Sequence, residues 1–217
     1  MIQIKVQTDL EFRDVFIEED SFKTLIASAI EVYSRETNGV LLGGNSTREI
    51  NGKRKKVISI QDVYPIQTAK RMRAEVYHGN IEAIKRYLRA TCSLRTDIVG
   101  GFHSHPHPFE SNILSEGDIE FIREEIKVMS RLGQKKVEKG WLELLMSITK
   151  KDYKRPGLSK WYTISHLKKI NCRVRTQKKL GYEVTVSAFW IYPKKIEDGK
   201  FIYGTKEVPV HVPWLLE

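Results

Sequence analysis

The chain has 217 residues, 41% of them hydrophobic and 10% aromatic, and its 37 Lys and Arg against 27 Asp and Glu leave a net charge of +10. That length and apolar content support a well-buried core in one elaborated domain and exclude a disordered or low-complexity chain. The sequence holds no internal repeat and no apolar run long enough to cross a membrane, and Cys92 and Cys172 are too few and too far apart for a disulfide framework or zinc knuckle, so both read as buried thiols.

In chain order, Met1 to Val6 alternates as a strand and does not read as a signal peptide, which makes a cytoplasmic protein the expectation. Phe22, Leu25, Ile26, Ala29, Ile30 and Tyr33 recur at helical spacing and predict a helix over 21–35. A short apolar strand over 39–43 follows, and Asn51-Gly52 marks a hairpin turn leading into a strand over 56–65. The patterns beyond predict a helix over 79–91, a strand over 97–105, a helix over 116–131 and a strand over 141–149. Residues 160–217 read mostly as further strands, clearest over 182–191, before Pro193, Gly199, Gly204, Pro209 and Pro213 punctuate a tail whose Trp214-Leu215-Leu216 can dock on the body or on a partner. Alternating strand and helix periods predict an α/β domain with a curved mixed sheet, helices covering it, and extra C-terminal strands. Residues 1–150 form its core and 151–217 a β-rich, basic extension of the same domain, since no linker-like stretch divides them.

Chemistry concentrates in two places. In the extended run Asp97 to His105, the period of two sends His103 and His105 out of one face of the strand, where both can hold one ion. Neutral imidazole suits zinc, and a carboxylate as third ligand leaves the fourth tetrahedral position open, as in a catalytic site. Asp118 is the candidate third ligand. Ser115 reads as an N-cap, and Ile119, Ile122, Ile126 and Met129 continue as a helix, so Asp118 falls in the first turn where the helix dipole favours an ionised carboxylate. Ser115 and Asp118 are also a plain capping box, and the two readings are compatible. The candidate general base is Glu36, between the first predicted helix and the strand Gly39-Val40-Leu41-Leu42-Gly43.

Glu36 three places before Gly39, His103-Ser104-His105-Pro106, and Ser115 with Asp118 together resemble the signature of the JAMM (MPN+) metalloprotease family, and in the same chain order. The likeness spans roughly the first 150 residues, the usual size of one domain. It implies an MPN/JAB, cytidine-deaminase-like fold and a zinc isopeptidase that acts on ubiquitin or ubiquitin-like proteins. It also implies His103, His105 and Asp118 as zinc ligands, Glu36 as general acid/base, and Ser115 as hydrogen-bond donor to the tetrahedral oxyanion. One departure is the loop 106–114, which places nine residues between His105 and Ser115 where the family usually has seven.

Other readings compete. His103, His105 and Glu110 fit part of a cupin metal motif, but a cupin is an all-β barrel, and Asp97 stands where its preceding Gly belongs. His107, between Pro106 and Pro108, reads as a rim or substrate contact rather than a ligand. A non-catalytic scaffold of MPN type, or a nucleic-acid-binding module, is the alternative from another class. The basic excess bears on it: residues 1–44 carry four Lys and Arg against eight Asp and Glu, whereas 150–217 carry fifteen against six. Such a stretch can meet nucleic acid or an acidic protein surface, and as regards nucleic acid a solvated β face is the favoured reading because no recognised module accompanies the charge.

Overall fold

Asn51 and Gly52 adopt positive φ values of 52° and 71°, the two-residue hairpin turn that the dipeptide signals, and join β2 (Asn38–Ile50) to β3 (Lys53–Pro65) in antiparallel register. In this computed structural model the described residues are 12–66, 70–71, 76–77, 82, 85–87, 89–90, 97–106, 111–155, 157–164, 168–176, 179–197 and 200–212. The expected strand over 2–6, most of the helix over 79–91, and Cys92, His107, Glu110 and Trp214 lie outside them.

Around that hairpin the sheet grows in both directions. β1 (Asp14–Ile17) runs parallel to β3, and β6 (Asp97–Pro106) pairs antiparallel with β2. β7 (Trp141–Asp152) lies parallel to β6, and β10 (Leu180–Glu197) pairs antiparallel with β7 from Leu180 to Ile191. β9 (Lys169–Arg175) and β8 (Lys160–Ile164) extend one edge from β10. Two short strands, β4 (Lys70–Arg71) and β5 (Val76–Tyr77), pair apart from this sheet.

The second half of β10 carries β11 (Lys200–Val208), and the chain passes through Pro209 into β12 (Val210–His211), which pairs parallel with β1. Val15 N–H donates to the Pro209 carbonyl at 2.8 Å. Running from β1 through β3, β2, β6, β7 and β10 to β11 and β12, the ten-stranded sheet therefore almost closes on itself. Trp190 Nε1 donates to the Arg13 carbonyl at 3.1 Å and His211 Nε2 meets Asp14 Oδ2 at 2.8 Å along the seam.

The molecule is thus mostly β, with a barrel-like sheet, and the expected α/β architecture of a helix-flanked MPN-type sheet is corrected. Strands fill the place that helices were expected to take. The inner face is packed by Leu41, Phe102, Leu144, Met146, Ile170, Cys172, Val184, Val186, Val208 and Val210, seven of the ten from the C-terminal third of the chain. Only two α-helices are bounded among the described residues. α1 (Glu19–Glu31) adds Phe22, Leu25, Ile26 and Ala29 to the inner cluster. α2 (Glu116–Arg131) lays Ile122, Ile126 and Met129 on the outer face against Val40, Ile98, Trp141, Leu145, Phe189 and Ile191. Cys172 is a buried free thiol, its pKa pushed up to about 12 by burial despite the bond from its Sγ to the Val184 carbonyl. Among the described residues no helix is long and apolar enough to cross a membrane.

Candidate metal centre

β6 delivers both histidines to the outer face. A β-bulge at Val99 shifts the register, so Leu41 faces Gly100 while Leu42 faces Ile98. Beyond the bulge Phe102 points into the inner cluster, and His103 and His105 point to the side that α2 covers. The glycines before them let β6 lie close to its neighbour: a Cβ on Gly100 would stand 1.7 Å from the Leu142 carbonyl oxygen, and one on Gly101 would stand 2.8 Å from the Trp141 ring.

α2 supplies the carboxylate. Ser115 Oγ accepts from Asp118 N–H at 3.1 Å and Asp118 Oδ2 accepts from Ser115 N–H at 2.6 Å, so the capping box read in the sequence forms in full. The box uses Oδ2 and leaves Oδ1 directed at the histidines, 3.4 Å from His105 Nε2 and 3.6 Å from His103 Nε2. The ligand atoms of His103, His105 and Asp118 lie within 4.8 Å of one another, and this group could hold a metal ion. His103 Nε2 is buried with no hydrogen-bond partner, an orphaned lone pair of the kind a cation satisfies.

The other ring nitrogens are tied down. His103 Nδ1 donates to Glu143 Oε1 at 2.7 Å, and Trp141 Nε1 donates to Glu143 Oε2 at 2.7 Å, so both oxygens of this buried carboxylate are engaged. His105 Nδ1 donates to the Ser111 carbonyl at 3.2 Å. Both imidazoles thereby present Nε2 toward Asp118, the outer-shell arrangement that fixes tautomer and ring orientation in metal sites. Burial lowers the His103 pKa, but the hydrogen bond and charge of Glu143, with the charges of Asp118 and Glu36, outweigh it and raise the value. Glu143 is raised by its own burial against the pull of His103. Burial also works against an ionised Asp118, yet its His105 bond, the His103 charge and the Ser115 N–H bring it down to about 2.

Glu36 stands two residues before β2, half-buried, and its charge acts on His103. Its segment is fastened to the histidine strand by a reciprocal pair: Thr37 N–H donates to Ser104 Oγ at 3.0 Å and Ser104 N–H donates to the Thr37 carbonyl at 2.9 Å. Ser115 is exposed at the start of α2, its oxygen accepting the cap bond and its hydroxyl proton left to donate. Among the described residues of the longer loop, Ser147 Oγ donates to Asn112 Oδ1 at 2.7 Å, and Lys169 Nζ donates to the Asn112 carbonyl at 3.4 Å.

Sequence reasoning missed Glu143, Trp141 and the Ser111 carbonyl. The signal for Glu143 was present: an acid inside the apolar run Trp141-Leu142-Glu143-Leu144-Leu145-Met146 must find a partner once the strand is buried. No protein-family model and no curated protein matches the chain. Among solved structures it is similar to the solution structure of protein DSY2949 from Desulfitobacterium hafniense, a structural-genomics target, with a TM-score of 0.47 and 16% identity over 91% of each chain.

Proposed function

We propose that the chain is a metal-dependent hydrolase of peptide or isopeptide bonds, with zinc held by His103, His105 and Asp118. The observation that carries the reading is the convergence of two buried imidazole Nε2 atoms and one carboxylate oxygen within 4.8 Å. Three protein ligands of this type match catalytic rather than structural zinc sites, which use four. The bound cation would supply Lewis-acid polarisation of the scissile carbonyl and a lowered pKa for water. Glu36 takes the proton from the attacking water and returns it to the departing amine. Ser115 donates its hydroxyl proton to the oxyanion while its oxygen stays in the helix cap. The resemblance to JAMM proteases concerns these site residues, not the architecture around them, and it suggests the C-terminal tail of ubiquitin or a ubiquitin-like protein as substrate.

The test joins metal content with turnover. Protein purified without chelator or affinity metal is expected to carry close to one zinc per chain by plasma mass spectrometry and to cleave a ubiquitin-like fusion. Glu36→Gln should keep the metal and lose cleavage by about a hundredfold or more, and Asp118→Ala should lose both. Wild type that takes up no metal even with added zinc ends the hydrolase reading, and full turnover by Glu36→Gln removes that residue from its role.

A further inference from the structure

We propose that the sheet face beside the histidine centre is a docking shelf for an acidic stretch of a polypeptide substrate. The inference rests on the hydrolase reading above and names the charge of what that site accepts. Register carries it. His105 pairs with Ser147 of β7, Ser147 with Thr185 of β10, and Thr185 with Asn171 of β9. Directly paired residues share a face, so this row continues the surface on which the ligands stand. Two residues along, the same face carries Thr149, Glu183, Arg173 and Lys160, and two further along come Lys151, Gly181 and Arg175. Lys151, on β7, thus stands one strand spacing from β6, Arg173 and Arg175, on β9, stand three, and Lys160, on β8, stands four, all one or two rows from the centre and within roughly 19 Å across the strands.

Coverage of that face is uneven. α2 packs over the Trp141 and Leu145 end of β7, whereas at the other end Lys151 and Lys160 are exposed, with no acidic partner among the described residues. The one acid in these rows, Glu183, already accepts from Arg173 at 3.0 Å and from the Tyr153 hydroxyl at 3.3 Å. The shelf therefore keeps a positive excess. Nucleic acid fits it less well than polypeptide. Stacking needs an open aromatic face, and among the described side chains bordering these rows the Tyr153 ring is covered by the Arg175 guanidinium at 3.1 Å, with Arg173 at 5.2 Å. From β7 to β9 the shelf is about 10 Å wide, room for one extended chain leading toward the centre.

Fluorescence anisotropy of the zinc-loaded full chain tests this, with three labelled probes: a peptide of alternating Glu and Gly, the same peptide with Gln for Glu, and an oligothymidylate of matched length. The Glu peptide should bind and the Gln peptide should not. Lys151→Glu combined with Lys160→Glu should weaken Glu-peptide binding by at least about tenfold. Lys53→Glu combined with Arg54→Glu, both exposed beside the tip of the β2–β3 hairpin, serves as the control of equal net charge and should change it little. Equal affinity for the Glu and Gln peptides overturns the proposal, as does indifference to the shelf variants. Tighter binding of the oligothymidylate, lost in the same variants, overturns it in favour of nucleic acid. Metal content measured on the same samples reports on the hydrolase reading separately, so the two failures are distinguishable.

Discussion

His103 is the most constrained residue of the centre, buried between Glu143 on one ring nitrogen and Asp118 on the other side, with Glu36 adding a third negative charge. Those charges overcome burial and raise its pKa above the ordinary 6.5. A raised folded value stabilises the metal-free chain below the unfolded pKa, and that contribution is lost as pH rises through the folded value. A cation on Nε2 replaces the proton, so melting temperatures of metal-free and zinc-loaded protein should diverge as pH is raised from about 6 to about 8. Asp118 behaves in the opposite sense: lowered from 3.8 to about 2, its contribution is present above 3.8 and lost as pH falls toward about 2. Glu143→Gln removes the carboxylate that holds Nδ1. It should weaken zinc binding about 10- to 100-fold in a chelator competition and, on acidification, release the metal with a midpoint at a higher pH than wild type. Unchanged affinity with an unchanged midpoint would show that Glu143 does not orient the ligand.

At the scale of elements, the centre depends on how closely β6 lies against β7. Gly100→Ala would put a methyl group 1.7 Å from a backbone oxygen that cannot step aside, whereas a Cβ on Gly44 in β2 meets nothing within 4 Å. In urea unfolding, Gly100→Ala is expected to lose about 3 kcal/mol or more, or to prevent folding, while Gly44→Ala stays within about 1 kcal/mol of wild type. Comparable midpoints for the two variants would contradict this account of the strand pair. α2 belongs to the same unit. Its N-cap serves the helix and aims Asp118 Oδ1 at the histidines, so loss of the Ser115 side chain touches stability and metal binding together.

For the whole molecule, the decisive feature is the seam that closes the sheet. β12 contributes only two residues, yet it sets Val210 beside Val15 in the inner cluster and lets His211 meet Asp14. A chain ending at Val208 loses this strand and Val212 and exposes Val15. It should unfold at a lower urea concentration and bind an apolar dye before the main transition, and an unaltered urea midpoint would mean that the seam adds nothing to stability.

Much of the centre was legible in local sequence because its determinants are local. His103 and His105 share a face through the strand period, Asn51-Gly52 turns through its φ preference, and Ser115 with Asp118 caps α2 over the residues expected. Each follows from backbone geometry within a few residues. Partners from distant segments were decided only by tertiary structure. Glu143 lies 40 residues from His103 and reaches it because two parallel strands pair, and the charge of Glu36 acts on His103 from a segment that Thr37, just before β2, fastens to Ser104 of β6. The bulge at Val99, invisible in an apolar run, selects which side of the sheet the histidines occupy. The architecture depended most on distance. Helical periods in the first 150 residues suggested a helix-flanked sheet, but burying the apolar faces of β9, β10, β11 and β12 is a property of the entire chain, and strands from its C-terminal third closed the sheet.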